Sequence, residues 1–153
     1  MGRALFLIPC LFLVACDLNV ATTPEIAYLN MPDAESLNLP FASAVRVDNM
    51  LYLSGAVGNV PGTMNLAEGG IEGETRQTMD NIAAVLDEFG SSLDKVVKCT
   101  VFLADISDWS AANEVYVTYF ANPPARSALG ASGLALGAKV EIECLAVISG
   151  DQR

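Results

Sequence analysis

Arg126 and Glu141 are the residues of this chain whose types and setting suit chemistry on a small anionic molecule. Arg126 follows the Pro123-Pro124 turn and opens Arg126-Ser127-Ala128-Leu129-Gly130-Ala131-Ser132, a run of small residues with a single Leu that suits an extended segment open to a ligand. Its guanidinium offers a rigid fork of donors that matches a carboxylate. Glu141 lies in Lys139–Ile148, which alternates as a strand: Val140, Ile142, Cys144, Ala146 and Ile148 share one face, and Glu141, Glu143, Leu145 and Val147 share the other. A carboxylate on a face with Leu145 and Val147 is desolvated at some cost unless it has a partner or a task. Each residue also has a bland reading. Arg126 could be a surface arginine or the partner of Glu141 or Glu143 in a structural ion pair. Glu141 could be a buried acid paired with Lys139 or a backbone amide. Glu143, about 7 Å farther along the same face, reads as structural.

The elements that position these residues follow from periodicity and punctuation. The domain begins near Pro24, with Glu25–Leu29 as an edge strand and Met31–Pro40 as a loop. Phe41–Val47 and Met50–Ser54 form a hairpin through Asp48-Asn49, ending at Gly55, and Val57–Gly73 is a glycine-rich loop. Met79, Ile82, Ala83, Leu86 and Phe89 recur at helical spacing and predict a helix over Glu72–Phe89 ended by Gly90, with Glu72 and Glu74 at the positive end of its dipole. Val96–Leu103 is a strand. A second helix is expected over Asp108–Phe120, capped by Ser107, with Trp109, Ala112, Tyr116, Tyr119 and Phe120 facing inward. This order predicts an α+β two-layer sandwich, both helices on one sheet face. Strands apolar on both sides predict that the other face packs against further subunits.

The 153 residues allow one domain with a real core. The first sixteen read as an export signal: Arg3 precedes an apolar run through Ala15 too short to span a bilayer, and Leu13-Val14-Ala15-Cys16 resembles the lipobox of bacterial lipoproteins. That reading makes Cys16 the acylated N-terminus of a membrane-anchored protein on the periplasmic side, with residues 17–23 as a tether and 24–153 as the domain. The net charge of -10 excludes the basic face that nucleic acid requires. The chain has no histidine, so imidazole triads and metal sites are excluded and no metal is expected. Cys99 and Cys144 read as small buried hydrophobes in strands, and only their separation decides whether they bond.

Several blocks carry a family resemblance: Pro124-Ala125-Arg126-Ser127 followed by Leu134 and Val140-Glu141-Ile142, with Leu39-Pro40-Phe41-Ala42-Ser43-Ala44, Leu53-Ser54-Gly55, Thr75–Ile82 and Lys98–Leu103 upstream. In this order they resemble the signature of the Rid family, the reactive intermediate deaminases also called YjgF or L-PSP proteins. The resemblance implies a chorismate-mutase-like fold, a homotrimer with ligand clefts between neighbours, and cofactor-free hydrolysis of enamine or imine intermediates of amino acids to 2-oxo acids and ammonia. It implies that Arg126 holds the carboxylate of a 2-imino acid and that Glu141 positions and activates water. By the same resemblance the backbones of Gly55 and Ala128 line the cleft, with Ser54 and Asn113 near it. Ala128 stands where many relatives carry cysteine, and Phe41 stands where typical deaminating members carry a tyrosine hydroxyl. Rival expectations are a non-catalytic module that binds small carboxylates and a holdase-like envelope protein.

Overall fold

The computed structural model describes residues 23–32 and 39–148. The export segment, Cys16, most of the tether and most of the Met31–Pro40 loop lie outside the described residues. The sheet strands are β1 (Ile26–Leu29), β2 (Ala44–Val47), β3 (Met50–Leu53), β4 (Ala56–Val57), β5 (Val96–Leu103), β6 (Ala125–Gly130) and β7 (Val140–Val147). Helix α1 spans Gly70–Glu88 and α2 spans Trp109–Tyr116. The strand order is β1-β2-β3-β7-β5-β6, with β4 also paired to β7. Only β5 and β6 run parallel among these pairs, so the sheet is mixed, and with two helices it is the expected α+β arrangement.

Alternation decides what the helices cover. Leu51 of β3, Val101 and Leu103 of β5, and Val140 and Ile142 of β7 are buried beneath Met79, Ile82 and Leu86 of α1 and Ala112 and Tyr116 of α2. Removing side chains of this size from water stabilises the fold by about 1.5–3 kcal/mol each. Two threonines in the buried stripe of α1 satisfy their hydroxyls inside the helix: Thr75 donates to Ile71 O at 2.7 Å and Thr78 to Glu74 O at 2.8 Å. The helix ends where expected. Gly90, at φ 79°, adopts the left-handed conformation that follows a helix C-terminus, and its N–H bonds Asp87 O.

The structure corrects several local expectations. β2 begins only at Ala44, because the backbone at Phe41 and Ala42 leaves the ladder and is held by Ser54 Oγ, which donates to Ala42 O at 2.7 Å. The second helix is shorter than predicted, its last turn tightening into a 3-10 turn over Val117–Tyr119. Ser107 is not its cap. Asp105 instead accepts from the Ser107 N–H at 2.9 Å and caps the 3-10 turn Ile106–Asp108 that leads into α2. That bond holds the exposed Asp105 carboxyl below its ordinary range. Trp109 does not face inward: it is 43% exposed. Cys99 and Cys144, small buried hydrophobes whose separation decides whether they bond, are direct partners across β5 and β7 with Cα atoms 4.1 Å apart, and they form a disulfide. Separation along the chain concealed a register that places them face to face.

Candidate active site

Arg126 projects from β6 onto the helix-covered side of the sheet. Its register partner on β5 is Cys99, which faces Cys144 on β7, and both cysteines are buried with the core. There α2 receives the guanidinium. Arg126 Nη2 donates to Asn113 Oδ1 at 2.8 Å, and the guanidinium carbon lies 4.7 Å from the centre of the Tyr116 ring and 5.7 Å from that of Trp109. Trp109, Asn113 and Tyr116 follow one another at helical spacing, so one face of α2 supplies all three contacts. Among the described residues no carboxylate lies within ion-pair distance of Arg126, so the structural pairing with Glu141 or Glu143 is absent. Ala128, two residues along β6, borders the same narrow slot of about 10 Å³ with Arg126, Asn113 and Tyr116.

Glu141 points the other way. Its partner on β5 is Phe102, and the buried neighbours Val140 and Ile142 put Glu141 on the uncovered side of the sheet. At Gly55 a Cβ would collide with the Glu141 carboxylate, so the missing side chain makes room for that carboxylate. This adds a reason for glycine beyond ligand access. The chain keeps its direction through Ser54-Gly55 but shifts register by one residue, so that β3 pairs with Leu145–Val147 and β4 with Glu141 and Ile142, both antiparallel to the same strand. Phe41, half exposed, and Ser54 and Gly55 line a depression of about 210 Å³ whose other walls include Met31, Leu39 and Pro61.

The expected residues therefore gather into two clusters. One holds Arg126, Asn113 and Ala128; in the other, Gly55 lies between the Glu141 carboxylate and the depression it lines with Ser54 and Phe41, which Asn81, Ala84 and Val85 of α1 also wall and Glu141 does not border. Within one chain the cation and the acid face opposite sides of the sheet and do not share a pocket. Asn113, expected only near the cleft, is the direct partner of Arg126. Ser54 spends its hydroxyl on the Ala42 carbonyl. Glu74 does more than suit a helix dipole: its carboxylate is buried and accepts the Lys139 N–H at 2.7 Å, fixing the backbone two residues before Glu141. Sequence reasoning missed Tyr116 and Trp109 as neighbours of the arginine. Their spacing around Asn113 was the available signal, and it was absorbed by the core reading. Burial raises the Tyr116 phenol above its ordinary range, opposed in part by the positive charge of Arg126.

Comparison with known proteins agrees with this architecture. The Endoribonuclease L-PSP family model matches residues 32–148. The chain is 42% identical over 109 residues to the 2-iminobutanoate/2-iminopropanoate deaminase of Mus musculus, a match covering 71% of this chain and 81% of that protein. It is 38% identical over 110 residues to Reactive Intermediate Deaminase A, chloroplastic, of Arabidopsis thaliana, covering 71% of this chain and 59% of the relative. Among solved structures, the Rid-family protein YyfA of Yersinia pestis, described as of unknown function, superposes with a TM-score of 0.75 at 38% identity, over 81% of this chain and all of that one. A mixed sheet of this order, with Arg126 turned to the helix-covered side and Glu141 to the other, defines a two-layer α+β domain. The chain belongs to the L-PSP/YjgF/Rid family.

Proposed function

We propose that this protein hydrolyses 2-imino acids, and the enamines that tautomerise to them, to 2-oxo acids and ammonia. The observation that carries the reading is the state of Arg126: a half-buried cation held by a neutral amide and two rings, with no carboxylate beside it among the described residues. A desolvated guanidinium without a counterion is ready for an anionic ligand, and a substrate carboxylate supplies the missing charge. Relatives about 40% identical that are named for deamination of 2-iminobutanoate and 2-iminopropanoate favour this over a purely binding or holdase role. The net charge of -10 disfavours a polyanionic substrate, so the ribonuclease in the family's name is not carried to this chain.

The chemistry is hydrolytic and balanced. Water adds to the imine carbon, a proton moves to nitrogen, and the tetrahedral carbinolamine collapses to a carbonyl with loss of ammonia. Arg126 holds the carboxylate; Glu141 orients the water, takes its proton and returns it to the departing nitrogen. Because one chain presents these groups on opposite faces, the site is completed between chains, Arg126 of one meeting Glu141 of the next. The uncovered face supports this. Tyr28, Tyr52 and Leu129 are exposed there, beside Phe102, Leu145 and Val147, an apolar surface suited to burial against further copies in a homotrimer.

The same reading keeps the chain anchored outside the cytosol through diacylated Cys16. The lipobox-like Leu13-Val14-Ala15-Cys16 supports it, as does the Cys99–Cys144 disulfide, since such bonds persist in oxidising compartments. Radiolabelled palmitate should enter the wild type and not Cys16→Ser; equal labelling removes the anchor from the proposal. For the activity, 2-iminobutanoate is generated in situ and release of 2-oxobutanoate is followed. Wild type should accelerate release, while Arg126→Ala and Glu141→Gln should fall to the uncatalysed background. No acceleration by wild type, or full activity in both variants, overturns it.

A further inference from the structure

The contacts on Arg126 assign a role to two residues not included among the site residues above. We propose that Tyr116 and Trp109 are positioning residues that hold the Arg126 guanidinium ready for a carboxylate before the ligand arrives; the catalytic consequence rests on the deaminase reading, the positioning does not. The guanidinium carbon lies over the Tyr116 ring at 4.7 Å and the Trp109 ring at 5.7 Å, both within the range at which a ring face attracts a cation. Tyr116 is only 3% exposed and packs against Phe120 with ring centres 4.9 Å apart, so its ring is a fixed wall. Trp109, on the solvent side, closes the arrangement. Asn113, between them on the helix, takes one of the five guanidinium N–H groups through Oδ1.

The physical gain is preorganisation. A free arginine loses rotamer entropy when it engages a ligand, and walls that immobilise it beforehand move that loss to folding. Aromatic faces suit this task better than an acid would, because they attract the cation without neutralising it. A carboxylate in their place would hold Arg126 equally well and compete with the substrate. The Tyr116 hydroxyl is buried with no hydrogen-bond partner among the described residues. It therefore contributes nothing visible to holding Arg126, and the ring alone is assigned the role.

That distinction sets the experiment. In full-length protein, the Arg126 Nε–Hε resonance should sit upfield from ring currents in wild type and in Tyr116→Phe, and move downfield in Tyr116→Leu. The dissociation constant for 2-oxobutanoate, an unreactive carboxylate, should rise roughly tenfold in Tyr116→Leu and stay within about twofold of wild type in Tyr116→Phe. Trp109→Leu, altered at a half-exposed position, guards against misfolding of the core variant and should raise the constant several-fold; in turnover, KM should rise more than kcat falls. An unmoved resonance in both leucine variants, or equal losses in Tyr116→Phe and Tyr116→Leu, overturns the inference. Absence of turnover in wild type strikes the deaminase reading instead, and the resonance still decides the positioning.

Discussion

The two faces of the sheet are built on different terms, and the candidate site draws on both. On the covered face, α1 and α2 bury a continuous apolar layer, a disulfide ties β5 to β7, and Arg126 is gripped at the margin by three side chains of one helix. On the bare face, Glu141 lies over a glycine, Glu143 is exposed, and aromatic and aliphatic side chains face outward from the strands. The covered face completes itself within one chain. The bare face leaves apolar side chains exposed, and its acid is placed by what is missing at Gly55 more than by any side-chain partner. Rigidity is thus supplied to Arg126 from within one chain, whereas on the proposed reading Glu141 would meet an arginine only on assembly.

The largest test of this contrast is complementation. Arg126→Ala and Glu141→Gln should each lose about a hundredfold or more in turnover, yet their co-expression should restore roughly a quarter of wild-type activity, because random assembly rebuilds that fraction of intact sites. No recovery in mixed oligomers would remove the shared site from the proposal and erase the contrast. Next, Cys99→Ala/Cys144→Ala removes a bond of sequence separation 45 and should lower stability by about 2–4 kcal/mol in a denaturant titration. Activity well below the transition should persist, since the β5–β6 ladder still sets Arg126 opposite position 99 and the cost of burying Glu141 and Glu143 still opposes a slip of β7.

Gly55→Ala should show the reverse pattern. The added Cβ displaces the Glu141 carboxylate, and a shift of about 1 Å can lower kcat by roughly a hundredfold while the unfolding midpoint changes little. Unchanged kcat would remove Glu141 from the reaction. The smallest effect concerns pH. The Tyr119 hydroxyl shares its one proton between Asp80 Oδ1 at 2.8 Å and Arg76 O at 3.1 Å, and burial, reinforced by the Asp80 carboxylate, pushes the phenol up to about 12. The fold favours the protonated phenol, so this contribution is complete below 10.0, its ordinary value, and is lost as pH rises through about 12. Stability of wild type should fall more steeply across that window than stability of Tyr119→Phe, as read by thermal melts in alkaline buffers.

Much of this architecture was legible in the chain because hydrophobic spacing is local. Val96–Leu103 coincides with β5, and the alternation that set Glu141 opposite Ile142 holds in β7. The family blocks singled out Arg126, Gly55 and Glu141, and the same resemblance put Asn113 near the cleft. What was not legible depends on relations between strands. Arg126-Ser127-Ala128 has too little hydrophobic contrast to say which way β6 turns its side chains, so only pairing with β5 reveals that the arginine goes under the helices. The cysteine bond and the Glu74 contact with Lys139 are likewise matters of register and of a loop's return path. Trp109 was misread for a different reason: an aromatic at helical spacing usually faces the core, and here a cation outside the core claims it.

The cysteine bond between β5 and β7 also acts as a registration pin. A one-residue slip of β7 would turn Glu141 and Glu143 into the apolar layer and swing Ile142 out to water. Burial of two carboxylates already opposes this slip, and Leu145 and Val147 on the outer face only soften the contrast. With the sulfurs joined, that misalignment is closed covalently to the folded chain as well, and the strand keeps its acids on the outer side.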